Sequence, residues 1–191
     1  SEEIKEGIIE LLFINKKKSL NYEVAENSIK FLSEDKRELN GHIDFKPFYM
    51  NVGLSYDGIS TKNLFKNDSV LVDLIRSEIL NNQNLNVNIN LNIKDITNID
   101  ELQNMSLLIS LEEGNINLSN SNIMWKDDLK INLSESFINF DLNEVSLIGR
   151  MILEFKNLDN FYRSFQVKKD DRKKIQKIDL DFNYNLDNQK I

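Results

Sequence analysis

The side chains that could do chemistry are few and scattered. His42 is the only histidine, and it stands between Asn40 and Asp44, where an imidazole could serve as a general base. It follows Asn40-Gly41, a turn signal, and no Gly-x-Ser-x-Gly nucleophile elbow occurs anywhere, so the expectation is a surface histidine at a turn. One histidine and no cysteine exclude a two-His zinc site, a thiolate metal site and a Cys nucleophile within this chain. Asp127-Asp128 and Asp170-Asp171 could act as paired carboxylates, but both lie beside Lys or Arg in predicted turns, which makes solvated loops the expectation. Glu112-Glu113-Gly114-Asn115 reads as a hairpin tip, and there is no EF-hand spacing and no phosphate-binding glycine pattern. Phe161-Tyr162-Arg163-Ser164-Phe165-Gln166 mixes aromatics with a cation. A stacking platform for RNA would need these on a strand, whereas helical spacing sends Phe161, Tyr162 and Phe165 into a core stripe. No catalytic residue, no metal site and no cofactor is expected.

The elements that must carry these residues are written in a period of two. In Asn84-Leu85-Asn86-Val87-Asn88-Ile89-Asn90-Leu91-Asn92-Ile93 every odd position is apolar and every even one is Asn, which in a strand gives one greasy and one wet face. The same alternation runs through Met105 to Leu111, Ile116 to Leu118, Ile123 to Trp125, Leu129 to Leu133, Val145 to Phe155 and Ile178 to Leu186. Lys126-Asp127-Asp128 predicts a turn that makes a hairpin of the strands on either side. Ile43 and Phe45 are in odd phase, Phe48 to Tyr56 in even phase, and the slip at Lys46-Pro47 predicts a bulge or bend. Two stretches break the alternation. Val70, Leu71, Leu74, Ile75 and Ile79 share a helical face over 68–82, and Leu158, Phe161, Tyr162 and Phe165 share one over 158–167, with Asn157 or Asp159 as its cap. Strand–helix–strand over 43–94 and again over 145–186 forms a weak internal repeat within one segment, 1–191.

The totals set further bounds. With 40% hydrophobic residues the chain can build a core. A net charge of −7 makes nucleic acid a poor partner, and the basic run from Lys168 to Lys174 is interrupted by Asp170 and Asp171. The chain holds 28 asparagines, consistent with wet strand faces in an Asn-biased sequence and not requiring a fibril-type Asn ladder. It opens at Ser1-Glu2-Glu3 and has no apolar run long enough for a transmembrane helix, so it is expected to be a piece of a longer protein.

The pattern therefore predicts a mainly β fold, a long antiparallel sheet with two short helical insertions. Two helices cannot cover so many one-sided strands. Either the sheet folds over as a closed sandwich, serving as a surface, adhesion or structural module, or its apolar face is open and meets something else.

Asn115 to Trp125, Gly149-Arg-Met-Ile-Leu-Glu-Phe155, Leu158 to Gln166 and Lys177-Ile-Asp-Leu-Asp-Phe-Asn-Tyr-Asn-Leu186 carry a family likeness. Over about 40–190 the chain resembles the AsmA-like envelope proteins of Gram-negative bacteria, including YhdP-type and TamB-type members. The resemblance implies a curved sheet with an open apolar groove, in the periplasm, within a protein anchored to the inner membrane by parts outside this segment. It also implies a non-catalytic role in outer-membrane biogenesis and phospholipid movement, with acyl chains as the partner. The groove residues would then include Val87, Ile89, Leu91, Leu107, Ile109, Leu147, Met151, Leu180, Phe182 and Tyr184, acting by apolar contact alone.

Overall fold

The computed structural model describes residues 4–13, 16–35, 38–60, 82–97, 99–141 and 144–186. They form a single sheet of twelve strands. The strands are β1 (Lys5–Phe13), β2 (Lys16–Val24), β3 (Ser28–Ser33), β4 (Leu39–Phe45), β5 (Phe48–Ser60), β6 (Asn86–Thr97), β7 (Leu102–Glu112), β8 (Asn115–Asn117), β9 (Asn122–Trp125), β10 (Leu129–Asp141), β11 (Glu144–Phe155) and β12 (Lys177–Asn185). Spatial order follows chain order, except that β8 and β9 share one lane between β7 and β10. Strongly alternating strands in sequence order favour such neighbour-to-neighbour pairing, and short turns join most of them.

Two expectations are corrected. The phase slip at Lys46-Pro47 is a hairpin turn, with Phe45 opposite Phe48 and Leu39 opposite Leu54, and not a bulge within one strand. Proline suits the turn because it has no N–H to give to a ladder. Nor is the sheet antiparallel throughout, because β5 and β6 are parallel, Met50 pairing with Val87 and Tyr56 with Ile93. A parallel pair needs a crossover of a dozen residues or more, which the connection over 61–85 supplies. The helix expected over 68–82 falls almost wholly outside the described residues. The strands β1 to β3 were not anticipated at all.

The other expectations for this region hold. At the β7–β8 tip Glu113 and Gly114 both have positive φ, 51° and 79°, the geometry that matches a two-residue turn to strand twist. The turn at 126–128 joins β9 to β10, with Trp125 opposite Leu129 and Ile123 opposite Ile131. The second helical stretch forms α1 (Leu158–Ser164), whose cap is Asn157, the Asn160 N–H donating to its side chain at 3.2 Å.

One irregularity resets the phase of β10. Ser134 opposes Arg150, but Phe137 opposes Ile148, so one extra residue is accommodated between them and Glu135 takes a φ of 49°. As a result Leu129, Ile131 and Leu133 on one side of the bulge share a face with Ile138 and Phe140 on the other. The bulged Ser136 is fully buried against Gly149, whose backbone leaves the only room for it. A Cβ on Gly149 would stand 2.1 Å from Ser136 Oγ.

Candidate functional site: an apolar face in register

Residues directly opposite one another in a ladder point to the same side of a sheet, so the pairings trace what each face presents. One row runs Val24–Ile29–Ile43–Met50–Val87–Leu111–Ile116–Ile138–Leu147–Tyr184 through ten strands without a polar member. At the strand spacing of about 4.8 Å it covers roughly 43 Å. Two shorter rows lie beside it, Tyr22–Phe31–Gly41–Val52–Ile89–Ile109 and Leu39–Leu54–Leu91–Leu107. In the former Gly41 holds a place for an aromatic. A Cβ there would meet the Phe31 ring at 2.0 Å, so the ring lies over the glycine and closes the gap in the row.

All ten residues expected to line a groove lie on this face. Ile89 opposes Ile109, Leu91 opposes Leu107, Leu147 opposes Tyr184 and Met151 opposes Leu180, while Phe182 faces Gly149. Val87 is buried, Leu180 is 45% exposed, and the others are half-buried. The sequence reading missed the residues that join the two groups. Ile116 and Ile138 carry the row from Leu111 to Leu147, and both are buried. Ile138 was hidden by the β10 bulge, since its alternation is out of phase with Leu129 to Leu133. Val24, Ile29 and Ile43 extend the row, and the alternation of Leu20, Tyr22 and Val24 was the available signal.

The face is not uniformly deep. Val87, Leu111, Ile116, Ile138 and Val145 form one buried cluster, and Ile59, Ile93 and Ile96 another. At the end of the strands nearest α1, a row of Leu102, Trp125, Leu129 and Phe155 is covered by the helix, with Phe161 edge-on to Trp125 at 5.5 Å and to Phe155 at 4.9 Å. Near the second cluster, burial pushes the Tyr56 hydroxyl above its ordinary pKa, and the charge of Glu38 adds to the shift.

The opposite face is wet. Its corresponding row reads Glu23–Lys30–His42–Asn51–Asn88–Ser110–Asn117, then turns apolar at Phe137 and Ile148. His42 lies here, half-buried, its Nε2 2.9 Å from Asp44. A depression of about 400 Å³ beside it is lined by Glu23, Lys30, Asn40 and Asn51, and a second, about 320 Å³, by Asn51, Asn88, Ser110 and Asn117. Arg150 spans this face, bonding Asp181 at 2.8 Å. That hydrogen bond and the surrounding negative charge hold its pKa above the usual value.

Two further expectations change. Asp128 is not a solvated turn residue. It is 7% exposed, its carboxylate accepts from the Asn160 side chain at 3.3 Å, and its carbonyl accepts the N–H groups of Lys156 and Asn157 at 2.8 and 3.0 Å. The β9–β10 turn is thereby clamped to the start of α1. Phe165, assigned to the core stripe, ends the helix and is 58% exposed, because α1 stops at Ser164 before another turn can bury it. Asp127 is exposed and takes a hydrogen bond from Gln103, and Asp170 and Asp171 are exposed in a 3₁₀ turn. Among the described residues no cluster of three His, Cys, Asp or Glu is placed to hold a metal ion, and no helix is long and apolar enough to cross a membrane.

No family model matches the chain, and neither does any curated protein or solved structure.

Proposed function

We propose that this chain is a non-catalytic segment of an AsmA-like envelope protein, and that its apolar face is a contact surface for phospholipid acyl chains. The observation that carries the reading is the unbroken register of apolar residues across ten strands. An acyl chain needs apolar area and no fixed hydrogen-bond partner, and a row of aliphatic side chains offers that in one direction, across the strands. The deepest row acts as a floor. The half-buried rows beside it, with Val52, Leu54, Ile89, Leu91, Leu107 and Ile109, are the accessible strip. The polar residues of the other face keep the sheet in water. On this reading the segment works in the periplasm, in a protein held at the inner membrane by other parts of its chain, and serves outer-membrane biogenesis by passing phospholipid along the sheet.

A single sheet also bears on the rival reading. Among the described residues β1 and β12 each pair with one strand only, and no second sheet is stacked on the first. A barrel closed edge to edge would require β1 and β12 to pair with each other.

The test is native mass spectrometry of the purified chain after incubation with phospholipid. Bound phospholipid is the expected result, with loading lost in Leu91→Asp. Circular dichroism reports whether that variant keeps its strands. If it does not, Leu180→Asp decides, because the exposed position lets the carboxylate stay hydrated. A lipid-free wild-type chain, or full loading in a folded Asp variant, would sink the proposal.

A further inference from the structure

The strongest positive charge in this acidic chain is gathered where α1 ends. Residues 163–174 contain six basic residues, Arg163, Lys168, Lys169, Arg172, Lys173 and Lys174, against two aspartates, a local charge of +4 in a chain of −7. The segment is held in place. The Tyr162 hydroxyl, buried with its ring, donates to the Lys173 carbonyl at 2.6 Å and accepts the Lys173 N–H at 3.1 Å. Arg172 donates through Nε to the Val167 carbonyl at 3.1 Å. Lys168, Lys169, Lys173 and Lys174 remain exposed.

An exposed aromatic stands beside these cations. Phe165 is 58% exposed, with its ring 5.5 Å from Trp125 and 4.7 Å from Phe161. The Lys126 ammonium lies over the same Trp125 ring at 4.7 Å. The nearby anions are partly engaged elsewhere, Asp127 by Gln103 and Asp128 by Asn160.

We infer that this corner is a docking surface for an anionic phospholipid bilayer. Clusters of four to eight Lys or Arg are drawn to anionic membrane surfaces, and an aromatic ring that is half in water can seat at the headgroup level. The charge balance also sets orientation. With −7 overall and +4 here, the rest of the chain sums to −11, so an anionic bilayer repels the molecule as a whole and attracts it at this end. The inference goes beyond the acyl-chain reading and does not depend on it, because a docked corner needs no lipid on the apolar face.

Trp125 is the only tryptophan and sits under Phe165, so its fluorescence reports on this corner alone. The experiment mixes the purified chain with vesicles of about 70% phosphatidylcholine and 30% phosphatidylglycerol, and separately with phosphatidylcholine alone, reading sedimentation and Trp125 emission. Binding and a blue shift are expected with the anionic vesicles only, both reversed by high salt. Lys168→Gln with Lys169→Gln removes two exposed cations and leaves the ring contacts in place. At about fivefold per cation, partition should fall roughly thirtyfold. Absent vesicle binding, equal binding to both vesicle types, or unchanged affinity in the double variant would overturn the inference. So would binding of single-stranded RNA by a chain that ignores the vesicles.

Discussion

The middle of the sheet and its flanks are written in the same alternation and end at different depths. On β6 to β11, Val87, Leu111, Ile116, Ile138 and Val145 are 2–9% exposed. On the flanks the same face carries Ile9 and Leu180, each 45% exposed. In the middle Val87, Leu111, Ile116 and Ile138 each have apolar neighbours on both sides along the row. Phe48, Leu85, Phe140 and Leu186 close in from the strand ends. Among the described residues the row has a neighbour on one side only at β1 and β12, and β1 contributes Lys5 opposite Val24. Period-two patterning thus fixes which way a residue points, while its depth comes from how many strands flank it. A charged residue on an edge strand is also a common device against unwanted pairing.

The comparison breaks most easily at its centre. Leu111 is 2% exposed, between Val87 and Ile116. Leu111→Ala should cost about 2–5 kcal/mol, the usual range for emptying a packed aliphatic site, read as a lower urea midpoint with an unchanged slope. A loss under about 1 kcal/mol would mean that the middle is no better sealed than the flanks.

Next in size is the bulge that keeps the middle continuous. Gly149→Ala would bring a Cβ to 2.1 Å from Ser136 Oγ and 2.6 Å from Ser136 Cα, so backbone must move on β10 or β11. Overpacking of this kind costs about 1–3 kcal/mol. Gly58→Ala is the matched control, since its Cβ would meet nothing closer than 3.6 Å, and it should change stability by under about 0.5 kcal/mol. Equal costs at the two glycines would show that the Ser136 contact does not hold the bulge.

Much of this was legible in the residues, and the failures have physical causes. The faces of β6, β7, β11 and β12 follow from alternation alone, and so does the placing of all ten expected groove residues on one side. Two features erased the signal elsewhere. The bulge at Ser134 to Phe137 inverts the phase of β10, so the alternation read over Leu129 to Leu133 did not extend to Ile138, the link between two halves of the row. At Lys46-Pro47 a two-residue hairpin and a bulge leave the same trace, a change of phase, and only pairing tells them apart. The parallel union of β5 with β6 was missed although the strand–helix–strand order over 43–94 was its signal, because strand direction is a property of the connection and not of the strand. The corner where α1 ends was misread because helical spacing was extended to 167, past Ser164, which hid an exposed Phe165 in a supposed core stripe.

A smaller loss than at Leu111 or Gly149 tests the other side of the comparison. Leu180 pairs with Met151 in the same kind of ladder as Leu111 with Val87, yet it has β11 on one side and, among the described residues, no strand on the other. Leu180→Ala removes the same atoms as Leu111→Ala, but nearly half of that surface is already in water. At about 25 cal/mol per Å² of apolar area, the remaining contact is worth under about 1 kcal/mol, and no closed cavity is left behind. The two Leu→Ala variants measured side by side hold chemistry, face and strand type constant and vary only the number of flanking strands. A loss at Leu180 as large as that at Leu111 would show that the β12 flank is covered in solution, by a second molecule or by another part of the protein. The apolar strip would then be shorter at this end than the row that defines it.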